Sequence, residues 1–231
     1  MTFIVAELGA NWSGNTFTLE NMLVRCKEAG VDAVKFQALS PELVARHPEW
    51  NWYDSAHITE DTIDDVNNLC KEIGIEWFCT PCYPEVVKLI DPYVSRWKVR
   101  HADNQNKEIL DECLKTNKPI FVSVSRSLDT LKLYENQRVD IENIKEIYCI
   151  PKYPTSYGEI NFDMVSELHG YSNHCLDPLA LLKAVRYGAD YLEFHLTDNR
   201  DDFAIDNKVS FSYSQMEEVV EWIRKFNAST D

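Results

Sequence analysis

Eight times along the chain, a short run that reads as a strand is followed by a stretch that reads as a helix. The strand-like runs cover residues 3–8, 32–37, 75–79, 96–100, 119–123, 146–150, 171–174 and 191–195. The helix-like stretches cover 18–29, 60–72, 84–90, 106–115, 128–134, 162–168, 178–187 and 214–226. In the first helix Leu19, Met22, Leu23 and Cys26 share one face and Gly30 supplies the stop, while Thr59 is the expected cap of the second. A helix that returns the chain to the same edge makes successive strands parallel neighbours, and eight such units close most naturally into a (β/α)8 TIM barrel of the α/β class. The competing open sheet would carry a G-x-G-x-x-G loop after its first strand. Gly9-Ala10-Asn11-Trp12-Ser13-Gly14 lacks that spacing. No linker or composition break divides the 231 residues, so one barrel domain over 1–231 is expected.

Composition narrows the partners. A formal net charge of −15 argues against nucleic acid or an anionic membrane, since either would be repelled by the overall field. Seven cysteines, an odd number without regular spacing, do not form a disulfide framework. Cys79-Thr80-Pro81-Cys82 is formally C-x-x-C, but no second pair completes a zinc site, and buried thiols at a strand end are the simpler account. With no signal peptide before the first strand and no apolar run of membrane-spanning length, a cytoplasmic protein is expected.

In a barrel, chemistry gathers at the C-terminal ends of the strands. The polar residues there are Glu7, Lys35, Gln37, Thr80, Lys98, Ser123, Ser172, His174, Glu193 and His195. Singly, a lysine at a strand end is usually solvated, a serine usually forms a turn, and a histidine is usually satisfied locally. Together they have a chemical logic. Two lysines with hydroxyls suit a phosphate or carboxylate, Glu7 is a candidate acid, base or sugar ligand, and His174 and His195 on adjacent strands can share a divalent metal.

These residues also carry a family resemblance. Ala6-Glu7-Leu8-Gly9-Ala10-Asn11, Asp32-Ala33-Val34-Lys35-Phe36-Gln37, Lys118-Pro119, Cys149 with Tyr153-Pro154, Gly170-Tyr171-Ser172-Asn173-His174 and Gly188-Ala189-Asp190-Tyr191-Leu192-Glu193-Phe194-His195 occur in the order seen in sialic acid synthases. The chain resembles the barrel domain of that family over nearly its whole length. The resemblance implies condensation of phosphoenolpyruvate with an open-chain N-acetylmannosamine-type sugar, with release of phosphate and with manganese or magnesium as cofactor. It implies metal ligation by His174 and His195 and donor-substrate contacts from Lys35, Thr80, Lys98, Ser123 and Ser172, with Gln37 among the substrate-binding positions. It further implies acid, base or sugar-binding roles for Glu7 and Asp206, a place in the sugar pocket for Tyr153, and a place for Glu193 beside the metal and the enol carbon. The expected partners are these small molecules, and a homodimer is compatible with the resemblance.

Several positions depart from the family pattern. Asn-His-x-Gly is Asn11-Trp12-Ser13-Gly14, Ser-Asp-His is Ser172-Asn173-His174, and Lys-Ile-x-Ser-Gly-Asp is Lys98-Val99-Arg100-His101-Ala102-Asp103. Ser-Thr-Gly is Ser123-Val124-Ser125, and Gly-Pro-Asp-His is Ala204-Ile205-Asp206-Asn207. Arg100 and His101 either bind the anion in place of the lost hydroxyl or fill the pocket. The C-terminal antifreeze-like domain of the family is expected to be lacking after Asp231, and the loop around Trp50, Trp52 and Tyr53 reads as an interface or a lid. Two other readings stay open: a non-catalytic barrel that binds a sugar or a partner synthase, and a keto-acid aldolase or lyase using Lys35 or Lys98 as a Schiff base.

Overall fold

The computed structural model describes residues 1–9, 11–46, 54–126, 130–134, 141–198 and 206–230. The loop around Trp50, Trp52 and Tyr53, and Ala204-Ile205, lie outside them. Eight parallel strands follow one another around a closed sheet: β1 (Phe3–Glu7), β2 (Ala33–Ala38), β3 (Glu76–Pro81), β4 (Trp97–Val99), β5 (Ile120–Val124), β6 (Ile144–Cys149), β7 (Gly170–Asn173) and β8 (Tyr191–Leu196). Closure is made by β8 against β1, in a register from Phe3 opposite Tyr191 to Glu7 opposite His195. This is the (β/α)8 TIM barrel that the alternation predicts. A short β9 (Ser210–Phe211) adds to the outer end of β8.

The helices are α1 (Thr16–Ala29), α2 (Pro41–Arg46), α3 (Ile63–Ile73), α4 (Val86–Ile90), α5 (Lys107–Lys115), α6 (Phe162–Glu167), α7 (Leu179–Arg186) and α8 (Tyr213–Thr230). In α1 the side chain of Asn15 accepts from Phe17 N and Thr18 N, Gly30 adopts φ +87° at the other end, and the four predicted apolar residues are buried. Among the described residues, no helix is long and apolar enough to cross a membrane.

Three expectations are corrected. Helix α2 lies outside the eight stretches that read as helices; of its six residues only Val44 is buried, so its sequence carries almost no helical period. Thr59 does not cap α3, which starts at Ile63 after Thr62; the Thr59 hydroxyl instead accepts from Asp61 N in a preceding turn. The stretch 128–134 is, in its described part, a 3-10 turn at Leu131–Tyr134. There the Glu146 carboxylate accepts from Thr130 N at 2.8 Å and Leu131 N at 3.3 Å, fixing a tight turn where a longer helix was expected.

Side chains along each strand alternate between helices and barrel interior. Ala6, Val34, Phe36, Cys79, Val99, Val122 and Phe194 belong to the apolar core that faces the helices. The interior is divided by height. Its N-terminal end is plugged by stacked rings, with Phe121 4.6 Å and Phe3 6.3 Å from Tyr191 between centroids, and Arg96 lies 4.3 Å over Phe3. Burying each such ring contributes roughly 2–3 kcal/mol. The C-terminal end is polar. Strands β7 and β8 approach so closely that a Cβ on Gly170 would fall 2.1 Å from Tyr191 O.

Candidate active site

A cavity of about 310 Å³ opens at the C-terminal ends of the strands. Lys35, Gln37, Thr80, Lys98, Ser123, Tyr153, Ser172, His174, Glu193, His195 and Asp206 all line it. Glu7 does not; it is fully buried behind Lys35. A larger surface groove of about 860 Å³ between α4 and α5 contains none of the predicted residues, so the smaller cavity is the candidate site.

The register explains the grouping. Glu7 stands opposite Lys35 on one side and His195 on the other, Gln37 opposite Thr80, and Ser172 opposite Glu193. Lys35 Nζ pairs with Glu7 Oε2, donates to Thr80 Oγ1 at 3.0 Å and lies 3.7 Å from Glu193 Oε1. Gln37 Nε2 donates to Glu7 Oε1 at 3.3 Å. Across the barrel, Lys98 Nζ donates to Ser123 Oγ. Glu193 accepts from Ser172 Oγ at 2.9 Å and from the Tyr191 hydroxyl. Gly9, at φ +43°, lets the chain turn here: a Cβ at that position would lie 2.6 Å from Glu7 Oε1 and 3.3 Å from Asp206 Oδ2.

Burial and charge set the protonation states. Burial disfavours the charge on Lys35, but Glu193 and Glu7 beside it hold the ammonium well above its ordinary value. Glu193 is also buried, yet Lys35 and Lys98 hold it down at about 2, so it stays ionised. Burial pushes Glu7 up, against the pull of Lys35. Lys98 is lowered by burial, against the pull of Glu193.

The two histidines meet above this layer, with ring centroids 5.4 Å apart. His174 Nδ1 lies 2.9 Å from Ile150 O, leaving Nε2 as its available nitrogen. Burial, then the neighbouring His195, lowers His174 to about 3, so it is a neutral imidazole with a lone pair. His195 Nδ1 lies 3.3 Å from Asp206 Oδ2, within ion-pair reach but off the hydrogen-bond line. Burial opposes the charge on His195, whereas Asp206 raises it; burial likewise opposes the charge on Asp206, whereas His195 lowers it. Tyr153 remains 53% exposed and packs its ring 3.9 Å from that of His174. A carboxylate behind an imidazole is an arrangement suited to a metal ligand, and two imidazoles suit a transition ion better than magnesium. Among the described residues, no group of three or more His, Cys, Asp or Glu is arranged to hold a metal, so the two rings would leave most of an ion's coordination positions to water or substrate.

Four further residues line the cavity: Arg100, His101, Ala102 and Cys149. Cys149 ends β6 one step beyond Tyr148 and shares the inward parity of Ile147, a position that strand alternation marks. Two departures from the family pattern, Trp12 and Asn173, have a structural account. Trp12 is buried and packs edge-on against Phe36, outside the cavity. Asn11 donates to Leu196 O and Ser210 Oγ, tying β9 to β8. Asn173 turns away from the histidines to Cys175. All seven cysteines are buried and free, and burial pushes Cys79 well up and Cys82 to about 12, as inert thiols require.

Residues 22–231 match the NeuB family. The chain belongs to the NeuB family. It is 28% identical to an uncharacterized protein of Methanocaldococcus jannaschii over 96% of this chain and 70% of that protein. It is 26% identical to the N,N'-diacetyllegionaminic acid synthase of Legionella pneumophila over 96% of this chain and 71% of that enzyme. The fold matches the crystal structure of an N-acetylneuraminic acid (sialic acid) synthetase from Leptospira borgpetersenii with a TM-score of 0.85 at 21% identity, covering 97% of this chain and 84% of that one. For this member of the NeuB family the strand-end cavity is therefore the candidate active site.

Proposed function

We propose that the chain condenses phosphoenolpyruvate with the open-chain form of an N-acetylmannosamine-type sugar. The methylene carbon of phosphoenolpyruvate bonds to the aldehyde carbon, water adds at the adjacent phosphate-bearing carbon, and the bond from that carbon to the phosphate oxygen breaks, releasing phosphate and a nine-carbon acid. The observation that carries this reading is Glu193, which sits 3.7 Å from Lys35 and two residues from His195, between an ammonium-and-hydroxyl side and an imidazole side of one cavity. Its relatives support the class, since one is named as a legionaminic acid synthase.

Lys35 and Lys98, with Thr80, Ser123 and Ser172, would orient the anionic donor. Glu193, ionised and fixed by two hydroxyl donors, would stabilise positive charge building on the phosphate-bearing carbon. Glu7, buried behind Lys35 and outside the cavity wall, would hold the Lys35 ammonium in place. Asp206 holds His195, and Tyr153 walls the sugar side. A divalent ion held by His174 and His195, with manganese preferred on ligand chemistry, would polarise the sugar aldehyde.

The test is phosphate release from phosphoenolpyruvate with manganese and a panel of N-acetylhexosamines. Release that depends on an acceptor is expected; no release with any acceptor would sink the proposal. Burial that lowers Lys98 favours a second reading, a Schiff base with a keto acid. Borohydride trapping with pyruvate should leave the mass unchanged, and a mass increase on Lys98 would put the aldolase reading first.

A further inference from the structure

The two cavity lysines bring little surplus charge to an anion. Lys35 is shared between Glu7 and Glu193, and Lys98 is turned to Ser123 under the field of Glu193. Arg100, just past β4, also lines the cavity, and 31% of its side-chain surface remains open. Its Nε is bound to Asp103, three residues on, and its two terminal nitrogens have no partner among the described residues. The fork is therefore held from behind with its outer edge available. The turn that carries it is pinned twice, by Asp103 N to Arg100 O at 3.0 Å and by Asn104 Nδ2 to Ser123 O at 3.0 Å. The second bond ties this turn to the same serine that receives Lys98. His101 follows on the cavity wall, with Nε2 3.3 Å from Ser125 Oγ.

Arg100 and His101 therefore line the cavity instead of filling it. We infer that Arg100, aimed by Asp103 and flanked by His101, grips the phosphate of the phosphoenol substrate, with Arg100 as a binding residue and Asp103 as a positioning residue. The inference rests on the condensation proposed above and adds a specificity element at the corner where the family pattern has a hydroxyl. A guanidinium meets a phosphate through two parallel N–H bonds and keeps its charge at any working pH, which neither a hydroxyl nor a lysine matches.

Calorimetric titration of the manganese-loaded full chain with phosphoenolpyruvate, pyruvate and N-acetylmannosamine 6-phosphate tests it. For Arg100→Ala we expect phosphoenolpyruvate to bind about 30-fold more weakly and pyruvate to change less than about twofold, the loss being a charge-assisted pair that only phosphate makes. Arg100→Lys, which keeps a cation beside Asp103 and so guards against misfolding, should recover less than half of that loss in logarithmic terms. Asp103→Asn should raise KM for phosphoenolpyruvate about fivefold with kcat nearly kept, a split that mere structural damage would not give. Unchanged phosphoenolpyruvate binding by both Arg100 variants overturns the inference while the proposed reaction stands. A loss confined to the sugar phosphate overturns the assignment to the donor. Failure of the unsubstituted chain to bind phosphoenolpyruvate at all overturns the reaction on which the inference rests.

Discussion

Asn173 stands where sialic acid synthases carry aspartate, and its amide uses both ends. Nδ2 donates to Cys175 O at 2.7 Å, and Oδ1 accepts from Cys175 N at 3.0 Å. An aspartate could accept from the amide but would press its second oxygen on the carbonyl, in a place only 1% exposed. Asn173→Asp should therefore cost about 1–3 kcal/mol, a lost bond plus an unsatisfied buried oxygen. Thermal unfolding above pH 7 checks this, and an unchanged midpoint would count against it. Asparagine here closes the loop that follows β7, whose His174 O also accepts from Thr155 N. The sequence shows the exchange; that the side chain faces Cys175 and not a histidine depends on a rotamer chosen by packing.

At the scale of elements, the connection from β2 to α3 is held by His57. Leu39 N donates to His57 Nδ1 at 3.2 Å, and Thr62 Oγ1 donates to His57 O at 2.9 Å. Burial lowers His57 below its ordinary 6.5. The unfolded chain then takes up the proton first. Stability from this group is complete above 6.5 and is lost as pH falls from there through the folded value. His174, lowered to about 3, adds to the same slope, so the comparison must be with a variant. His57→Asn keeps an acceptor for Leu39 N and removes the titration. Its unfolding free energy should fall less steeply between pH 6.5 and 5 than that of the unsubstituted chain, and equal slopes in urea titrations would refute the assignment. Regular elements with long apolar stripes, α1 above all, were legible in sequence. Helix α2 was not, because six residues with one buried side chain carry no period, and the helical spacing of 128–134 is overridden by Glu146, which fixes a turn at Leu131–Tyr134.

At the scale of the molecule, closing a barrel requires the first and last units to meet. Arg224 on α8 does part of this, donating to Thr2 O at 2.9 Å, Gly30 O at 2.7 Å and Asp32 Oδ2 at 2.6 Å. Asp32 in turn accepts from Ile4 N at 2.7 Å, so one guanidinium joins the last helix to the start of β1 and to the turn before β2. Arg224→Met should lower stability by about 2 kcal/mol, with Arg224→Lys restoring less than half because a point charge cannot span three acceptors. Urea midpoints test it; no change in the Met variant would show that β8 against β1 closes the barrel unaided. Strand parity and helix period are local properties, so the chain's own letters determined the eightfold alternation and placed Lys35, Lys98, Ser172, Glu193 and His195 at strand ends. Distances across a barrel are not local. Only closure in its particular register brought Glu7 between Lys35 and His195, took it out of the cavity wall, and turned Arg100 into that wall, because which side chains meet across the interior depends on the stagger of all eight strands.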